Sequence, residues 1–306
     1  MITVFGSINM DLIATVSRLP KPGETLAGSG FSTAAGGKGA NQALAARRAG
    51  AEVSMVGAVG RDAFAEEALA LIRAAGVDLG AVKSVDAPTG TASILVGDEN
   101  GENVIVVVAG ANGEVAPADA DAGIVAMGEG DTLLLQLEVP AASVDAALEA
   151  GRKAGFRTIL NTAPLTADAA RLAQKADIVV ANETEFALLI GDPAAADDAS
   201  TREAALQARH AANGQTIIVT LGAEGVVAVH EGKIHRAQSL KIKPVDTVGA
   251  GDTFCGYLAA ALDRGDDFGS ALTFAAAAGS LACLKPGAQP AIPVRAEVEA
   301  ALTQRH

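Results

Sequence analysis

The sequence predicts an α/β protein with a mainly parallel sheet, helices on both faces of that sheet and a small β lid over one end. Three observations support this fold class. Short apolar runs rich in β-branched residues alternate with alanine-rich stretches of helical periodicity. These apolar runs contain few polar residues, as is typical of strands that are buried on both faces. Two segments, around residues 11–32 and 89–108, have strand character with no helix between their strands, and they form the predicted lid.

The elements follow one another in a regular order. The chain opens with a strand at ITVFG, a helix at NQALAARRAG that ends at Gly50, a strand at VSMVGAVG and a helix at AFAEEALALIRAAGV. Later strands are predicted at DTLLLQL, RTILNTA, DIVVAN, TIIVTLG and GVVAVH, and helices such as SVDAALEAGRKAG and TREAALQARHAAN lie between most of them. The stretch GDPAAADDAS is predicted to be a polar surface loop. Sheets of this kind bind ligands at the carboxyl ends of their strands.

The second lid segment, GTASILVGDENGENVIVVVAG, is a hairpin candidate with its turn at Asp98 to Gly101. Such strands have no place in a parallel sheet, although an antiparallel extension of the main sheet fits the pattern nearly as well. No linker, repeat or low-complexity tract divides the sequence. We therefore expect residues 1–306 to form one domain.

Composition narrows the class of function. The formal net charge is -13 and half of the 306 residues are hydrophobic, which disfavours binding to nucleic acid or to an anionic membrane. The opening MITVFGSINMD lacks the positive start of a signal peptide, so a cytoplasmic location is expected. Cys255 and Cys283 lie in apolar runs and are expected to be buried thiols. The histidines show no metal-ligand spacing.

The stretch VDTVGAGDTFCGYLAAAL places a glycine turn directly before a helix. Gly249, Ala250 and Gly251 would let a ligand approach the unpaired N–H groups at the helix N-terminus, which favours an anion such as a phosphate. Asp252, in the first turn, could accept a proton from a substrate hydroxyl, as a general base does in phosphoryl transfer. The alternative is structural, because an aspartate there stabilises a helix by about 0.3–1 kcal/mol.

Two polar motifs suit a hydroxylated small molecule. In GSINMD, Asn9 and Asp11 follow the first strand, and amide and carboxylate groups suit sugar hydroxyls, which both donate and accept hydrogen bonds. In AAGGKGANQALA, Gly37 gives an approachable backbone beside Lys38, and Asn41 lies at the start of the next helix. The glycine and Ser/Thr positions of a P-loop are not met here. Turns with local hydrogen bonds are the alternative for both motifs.

Three further motifs follow strands. Glu138 in QLEVP could face the ligand crevice or lie in a surface loop. In ANETE, Asn182 and Glu185 could position a hydrated magnesium ion, or they could form only a helix capping box. The glycines of TLGAEG, from Thr220 to Gly225, could hold nucleotide phosphate or ribose, or form a hairpin turn.

Taken together and in order, these motifs resemble the ribokinase-like sugar kinases, also called the phosphofructokinase-B family. The resemblance runs from GSINMD through GGKGANQA, GENVIVVVAGAN, QLEVP, NTAP, NETE and TLGAEG to VDTVGAGDTFCG and KPGAQPAIP. GGKGANQ and DTVGAGDTF are its specific parts. It implies a three-layer ribokinase-like fold and ATP-dependent phosphorylation of a sugar hydroxyl, which for ribose is the 5-hydroxyl.

The resemblance also implies roles for individual residues. Asp252 is the implied catalytic base, and Gly249, Ala250 and Gly251 are the implied anion hole. The implied sugar contacts are Asn9, Asp11, Gly37, Lys38, Asn41, Glu138 and Asp252. The implied nucleotide contacts are Asn182, Thr220, Gly222, Gly225, Gly251 and Ala276. Glu185 is implied to hold magnesium through water, and a potassium ion is implied at Asp246, Val248, Ala282, Lys285, Gly287 and Ala291.

The sequence departs from the family at three positions. Ala276 stands where a His or Asn often lies near the adenine, Ala291 where a Ser is common, and Thr162 where NTAP replaces the usual Asn-Pro-Ala-Pro. The first change bears on nucleotide preference and the second removes a possible potassium ligand. The family also implies a homodimer through interlocking lids, because an exposed lid edge is a liability in a monomer.

Other functions remain open at this stage. The same fold and catalytic turn serve kinases of nucleosides, pseudouridine, fructose or ketodeoxysugar acids, although GGKGANQ together with GSINMD favours ribose. A sugar-binding or regulatory protein that lost the chemistry is disfavoured by the intact turn and Asp252. A dinucleotide-dependent oxidoreductase is disfavoured because no G-x-G-x-x-G follows the first strand.

Overall fold

The computed structural model describes residues 1–97, 102–124 and 127–304. The strands are β1 (Ile2–Phe5), β2 (Asn9–Val16), β3 (Gly28–Gly36), β4 (Val53–Gly60), β5 (Asp78–Val85), β6 (Gly90–Gly97), β7 (Asn103–Val108), β8 (Thr132–Leu135), β9 (Arg157–Asn161), β10 (Ile178–Asn182), β11 (Thr216–Thr220), β12 (Val226–His230) and β13 (Lys233–Ala237).

The α-helices are α1 (Lys38–Arg48), α2 (Ala63–Ala74), α3 (Ala118–Ile124), α4 (Ala141–Ala154), α5 (Ala169–Ala173), α6 (Glu183–Ile190), α7 (Ala194–Asp197), α8 (Ala199–Asn213), α9 (Ala250–Arg264), α10 (Phe268–Ala282), α11 (Ala288–Ala291) and α12 (Arg295–Thr303). Short 3-10 turns lie at Gly110–Glu114 and Gly222–Glu224. No helix in the described ranges is long and apolar enough to cross a bilayer.

Nine strands form the large sheet, in the order β13-β12-β11-β10-β9-β8-β1-β4-β5. The strands from β11 to β5 are parallel, whereas β12 and β13 pair antiparallel at one edge. Side chains alternate across β1, so that Val4 packs beneath α1 and α9 while Phe5 packs with α4 on the opposite face. The predicted mainly parallel α/β sheet with helices on both faces is confirmed.

The predicted lid is a separate four-stranded sheet in the order β3-β2-β6-β7. Strand β2 pairs antiparallel with β3 and parallel with β6, and β6 pairs antiparallel with β7. The predicted hairpin turn at Asp98 to Gly101 lies outside the described residues. Strand β2 begins only four residues after β1 ends, so the base of the lid lies next to the carboxyl end of a central strand.

Two local predictions need correction. The stretch GDPAAADDAS is not simply a surface loop, because it contains α7, and Ala195 there is fully buried. Arg202 of α8 donates to the Ala195 carbonyl at 2.9 Å and holds the segment down. The strand GVVAVH is present as β12 but belongs to an antiparallel hairpin with β11 rather than to the parallel set. Both free cysteines are buried, as predicted.

Candidate active site

The glycine turn before α9 has the conformation that the sequence predicted. Gly249 caps the helix with φ of 76°, a left-handed conformation that favours glycine, and a Cβ there would lie 2.8 Å from the Ala288 side chain. A Cβ on Gly251 would point into open space. The first N–H groups of α9 have no partner within the helix, so this end can hold an anion.

Asp252 is buried beside this turn and accepts hydrogen bonds from two amide side chains of α1. Asn41 Nδ2 donates to Asp252 Oδ2 and Gln42 Nε2 donates to Asp252 Oδ1, each at 2.9 Å. Asn41 Oδ1 is buried and has no hydrogen-bond partner among the described residues, which leaves an acceptor for a ligand hydroxyl. The structure thus brings the predicted site residues Asp252 and Asn41 into direct contact.

A second group of polar residues joins the base of the lid to α1. Ser7 Oγ donates to Glu138 Oε2 at 2.5 Å, and the backbone N–H of Lys38 donates to the same oxygen at 3.1 Å. Gly37 has φ of 88°, and a Cβ there would lie 2.7 Å from the Asn9 nitrogen. The tight approach requires glycine and brings α1 against the start of β2. Glu138 therefore ties the two motifs together instead of lying in a surface loop.

Asn9 is fixed from a third direction. Asn112 Nδ2 donates to Asn9 Oδ1 at 2.7 Å, while Asn112 Oδ1 accepts the backbone N–H of Ile8 at 2.9 Å. Both asparagines are buried. The side chain of Asn9 is thus oriented before any ligand arrives, and its own Nδ2 donors remain for that ligand.

The charges of this region influence one another. Burial, and then the negative charges of Glu138 and Asp252, raise the pKa of Asp11 from 3.8 to about 6. The negative charge of Asp252, supported by Glu138 and Glu185, raises the pKa of Lys38 although burial opposes it. Lys38 therefore stays a cation at neutral pH, surrounded by three carboxylates.

A cavity of about 240 Å³ opens beside Asp252. Its lining includes Gly249, Gly251, Lys38 and the ends of β10 and β11. Asn182 and Glu185 line it and also form a full capping box at the start of α6, with bonds of 2.8 and 3.0 Å. Thr220 lines it as well, so two of the three strand-end motifs meet the glycine turn in one cavity.

The remaining predicted nucleotide positions, Gly222, Gly225 and Ala276, are not among the residues that line this cavity. Gly222 and Gly225 form the turn of the β11–β12 hairpin, with φ of 53° and 105°. Ala276 is buried on α10 in the apolar core, where its carbonyl accepts the Ser280 hydroxyl at 2.8 Å. Ser280 Oγ in turn accepts the N–H of Leu240.

Of the predicted cation positions, Asp246 and Val248 lie in the loop before α9, Lys285 and Gly287 lie in the loop between α10 and α11, and Ala282 and Ala291 are the last residues of those two helices. The Asp246 carboxylate accepts the N–H of Val248 at 3.0 Å and the N–H of Gly287 at 2.8 Å. Ala282 and Ala291 are fully buried nearby in sequence, and Lys285 is exposed with its ammonium 3.9 Å from Glu297. Ala288, the first residue of α11, packs close to this turn, since a Cβ added to Gly249 would lie only 2.8 Å from its side chain.

Comparisons with known proteins assign this architecture to a family. A profile described as pfkB family carbohydrate kinase matches residues 1–295. The ribokinase of Haemophilus influenzae is 36% identical and covers 97% of this chain and 96% of its own length. A structure of Arabidopsis thaliana ribokinase complexed with ribose and ATP superposes with a TM-score of 0.87 at 32% identity, covering 98% of both chains.

The chain belongs to the pfkB family of carbohydrate kinases.

A deoxyribokinase of Salmonella typhi is also similar to this kinase, at 33% identity over 95% of both chains. The family assignment agrees with the fold and confirms the resemblance that the motifs indicated. It rests on the whole length of the chain and not on the catalytic turn alone.

Sequence reasoning missed several polar residues of this kinase. Gln42 lies within GGKGANQA but carried no predicted role, although it contacts Asp252 directly. Gln136, Asn112 and Ser7 act only through contacts with residues far along the chain. The signal for Gln136 was weak but present, since it is an uncharged amide within the apolar run LLLQL, whereas Gln42 directly follows another amide, Asn41. Cys255 also lines the cavity, and burial raises its thiol pKa well above the usual value.

Proposed function

We propose that this kinase transfers the γ-phosphoryl group of ATP to the 5-hydroxyl of D-ribose, giving ribose 5-phosphate and ADP. The observation that carries the proposal is the contact between Asp252, beside the helix N-terminus, and Asn41 of the motif that faces the lid. It joins a candidate phosphate site to a candidate sugar site. Support comes also from similarity to ribokinases of several organisms over 97% or more of this chain.

In the proposed reaction, Asp252 accepts the proton of the sugar hydroxyl. The hydroxyl oxygen forms a bond to the γ-phosphorus, and the bond from that phosphorus to the bridging β–γ oxygen breaks, so that ADP leaves. The N–H groups at the start of α9, from Gly249 to Gly251, stabilise the negative charge on the moving phosphoryl oxygens. Lys38, kept positive by its acidic neighbours, adds a positive charge to the same region.

Sugar recognition is proposed to use Asn9, Asp11, Asn41 and Glu138 together with the backbone at Gly37 and Lys38. Burial and the neighbouring negative charges raise the pKa of Asp11, and no hydrogen bond is among the causes of this shift. The carboxylate oxygens of Asp11 are therefore proposed to accept hydrogen bonds from sugar hydroxyls. The carboxylates of Asp11, Glu138 and Asp252 influence one another as like charges, and such a site favours a neutral sugar over an anionic sugar acid. This charge pattern is the reason to prefer ribose over a ketodeoxysugar acid.

Nucleotide binding is proposed in the cavity beside Asn182, Thr220 and Gly251, with the Gly222–Gly225 hairpin and Ala276 bordering it. Glu185 is suited to hold the magnesium ion that accompanies ATP. It lines the cavity, and only one of its two carboxylate oxygens accepts the capping hydrogen bond. Magnesium usually keeps several of its waters, so the contact would run through water. Bound there, magnesium would neutralise phosphate charge. Within the described residues, no three His, Cys, Asp or Glu side chains cluster to hold a metal.

A potassium ion fits the two loops beside the glycine turn. The donor set there is oxygen only, from the Asp246 carboxylate and backbone carbonyls, which is the chemistry that potassium prefers. The proposed holders are Asp246, Val248, Ala282, Lys285, Gly287 and Ala291. Bound there, potassium would supply positive charge close to the anion hole, and Asp246 already ties both loops together.

We further propose a homodimer formed by the lids. All residues of β7 are exposed, including Val104 to Val108, although this is an edge strand with apolar side chains on both faces. Such a surface is rarely left uncovered in a soluble protein.

Dependence on ATP is the reason to place the enzyme in the cytoplasm.

The experiment that tests the proposed reaction combines product analysis with Asp252→Asn. The wild type should convert ribose and ATP to ribose 5-phosphate, identified by phosphorus NMR. The variant should bind ribose with similar affinity by calorimetry but lose about 10²- to 10⁴-fold in kcat, the usual contribution of a general base. Asp198→Asn, which changes only an exposed cap of α8, is the matched control. Unimpaired turnover by Asp252→Asn would remove the general-base assignment.

The second candidate is a kinase of deoxyribose, favoured by the similarity to a deoxyribokinase. The two sugars differ only in the 2-hydroxyl, so the same site and chemistry apply to both. A kcat/KM for deoxyribose above that for ribose would select this second function.

A further inference from the structure

Asp252 stands at the end of a line of buried amide side chains that the transfer step itself does not use. Gln42 Nε2 donates to Asp252 Oδ1 at 2.9 Å, and Gln136 Nε2 donates to Gln42 Oε1 at 2.7 Å. Both glutamines have 0% of their surface exposed. Gln136 lies just after β8 in the middle of the large sheet, so the line runs from the rigid sheet through α1 to α9.

The direction of these hydrogen bonds is set by the carboxylate. Ionised Asp252 can only accept hydrogen bonds, so Gln42 must turn its NH₂ group toward it. The oxygen of Gln42 then faces Gln136, which must present its own NH₂ group. This arrangement leaves Gln136 Oε1 buried and without a donor among the described residues. Turning both amides over would bring Gln42 Oε1 against the carboxylate oxygen of Asp252, and the two oxygens would repel each other. The unsatisfied Gln136 Oε1 is therefore the cost of keeping the Gln42 NH₂ group as a donor to Asp252.

Gln42 is also prevented from rotating away. Its Nε2 lies 3.3 Å from Asn161 Oδ1, and Asn161 Nδ2 donates to the Val180 carbonyl at 3.3 Å. Both N–H bonds of Gln42 are therefore engaged, one by the carboxylate and one by a side chain at the end of β9. The second oxygen of Asp252 is held differently, by Asn41, which is itself proposed to contact the sugar and can exchange its bond when the sugar binds.

We propose that Gln42, backed by Gln136, is a positioning residue that fixes one oxygen of Asp252 and leaves the other to take the proton of the sugar hydroxyl. The inference rests on the proposed function, because it needs Asp252 to be the base. It extends that function by assigning a role to two amides that do not touch the sugar or the nucleotide in the proposed reaction.

Gln42→Met tests the inference, since methionine has a similar length but cannot make these hydrogen bonds. A misplacement of reacting groups by about 1 Å can cost about 100-fold, and we expect kcat to fall about 10- to 100-fold. The KM for ribose should stay within about twofold, because the lost interaction acts on the reacting group and not on sugar binding. The acid limb of the kcat–pH profile should move to higher pH, because a donor that favours the charged carboxylate is gone.

Two further variants make the result interpretable. Gln136→Met keeps the contact between Gln42 and Asp252 but removes the hydrogen bond from Gln136 to Gln42. It should therefore give a smaller fall in kcat than Gln42→Met, and the acid limb of the kcat–pH profile should again move to higher pH. Gln215→Met is the matched control, because Gln215 is a buried glutamine whose side-chain Nε2 donates to the carbonyls of Ala173 and Ala176. Its pH profile and kcat should match the wild type.

The profiles are measured from about pH 3.5 to about pH 9, which spans the ordinary pKa values of carboxylate and histidine side chains, with thermal melts of every variant. A wild-type kcat and profile in Gln42→Met, with Asp252→Asn inactive, would overturn the positioning role and leave the proposed function intact. An unshifted acid limb with a reduced kcat would also overturn it, as a merely structural role. Should Gln42→Met fail to fold, an unshifted profile in Gln136→Met decides against the inference. Activity in Asp252→Asn would instead refute the proposed base.

Discussion

Asp11 should make the ligand-free enzyme less stable at neutral pH while making sugar binding stronger. Its pKa is raised from 3.8 to about 6 by burial and by the charges of Glu138 and Asp252. The folded protein therefore holds a proton on Asp11 between about pH 4 and pH 6 that the unfolded chain has released, and the free energy of unfolding falls as pH rises through this range. Because the pKa of Asp11 rises by roughly two, its ionisation lowers the free energy of unfolding by about 3 kcal/mol above pH 6.

Asp11→Asn removes this charge and keeps the shape of the side chain. At about pH 7.5 the variant should be more stable than the wild type by up to about 3 kcal/mol in urea unfolding, and at about pH 4.5 by less than about 1 kcal/mol. The KM for ribose should rise about tenfold or more, because a charged acceptor for hydroxyls is lost. Asp197→Asn, on the surface of α7, should change stability by less than about 0.5 kcal/mol at either pH. A variant equally or less stable than the wild type at pH 7.5 would refute the reasoning about buried like charges.

Three other outcomes are expected. The KM for ribose should rise up to about tenfold per unit as pH falls below about 6, where Asp11 takes up its proton; a flat profile in the wild type would contradict this, and Asp11→Asn should abolish the dependence. Replacing potassium by sodium should lower kcat in the wild type but not in Asp246→Ala, whose kcat should already be low; equal rates in both salts would remove the cation from the account. Val106→Lys on β7, where Val106 is 57% exposed, should give monomers by light scattering, and an unchanged oligomeric state would argue against a lid interface.

The fold could be predicted largely because the central strands are buried on both faces and therefore have continuous apolar sequences. The edge strands β5 and β13 were not predicted, because they lack this burial on both faces. Their residues are partly exposed, as in DLGAVKSV and KIHRA, so their sequences resemble polar connections. Helix α7 was missed because its burial depends on Arg202, a residue outside the segment.

The candidate site divides in the same way. Glycine turns and acids at strand ends are local features, so Gly37, Gly249 and Asp252 could be identified from the sequence alone. The support of Asp252 depends on side chains that are close in space but distant in the chain, as Gln42 and Gln136 are. Spacing carries no information about such contacts, and an amide in an apolar run has no chemistry of its own to attract notice.

The central claim is that this kinase acts on ribose through Asp252. The most direct test is an ADP-release assay with magnesium-ATP and potassium on ribose, deoxyribose, fructose, adenosine and pseudouridine, run in parallel on Asp252→Asn. We predict the highest kcat/KM on ribose and a loss of about 10²- to 10⁴-fold in kcat with the variant. A higher kcat/KM on another member of the panel, or turnover by Asp252→Asn at the wild-type rate, would contradict the account.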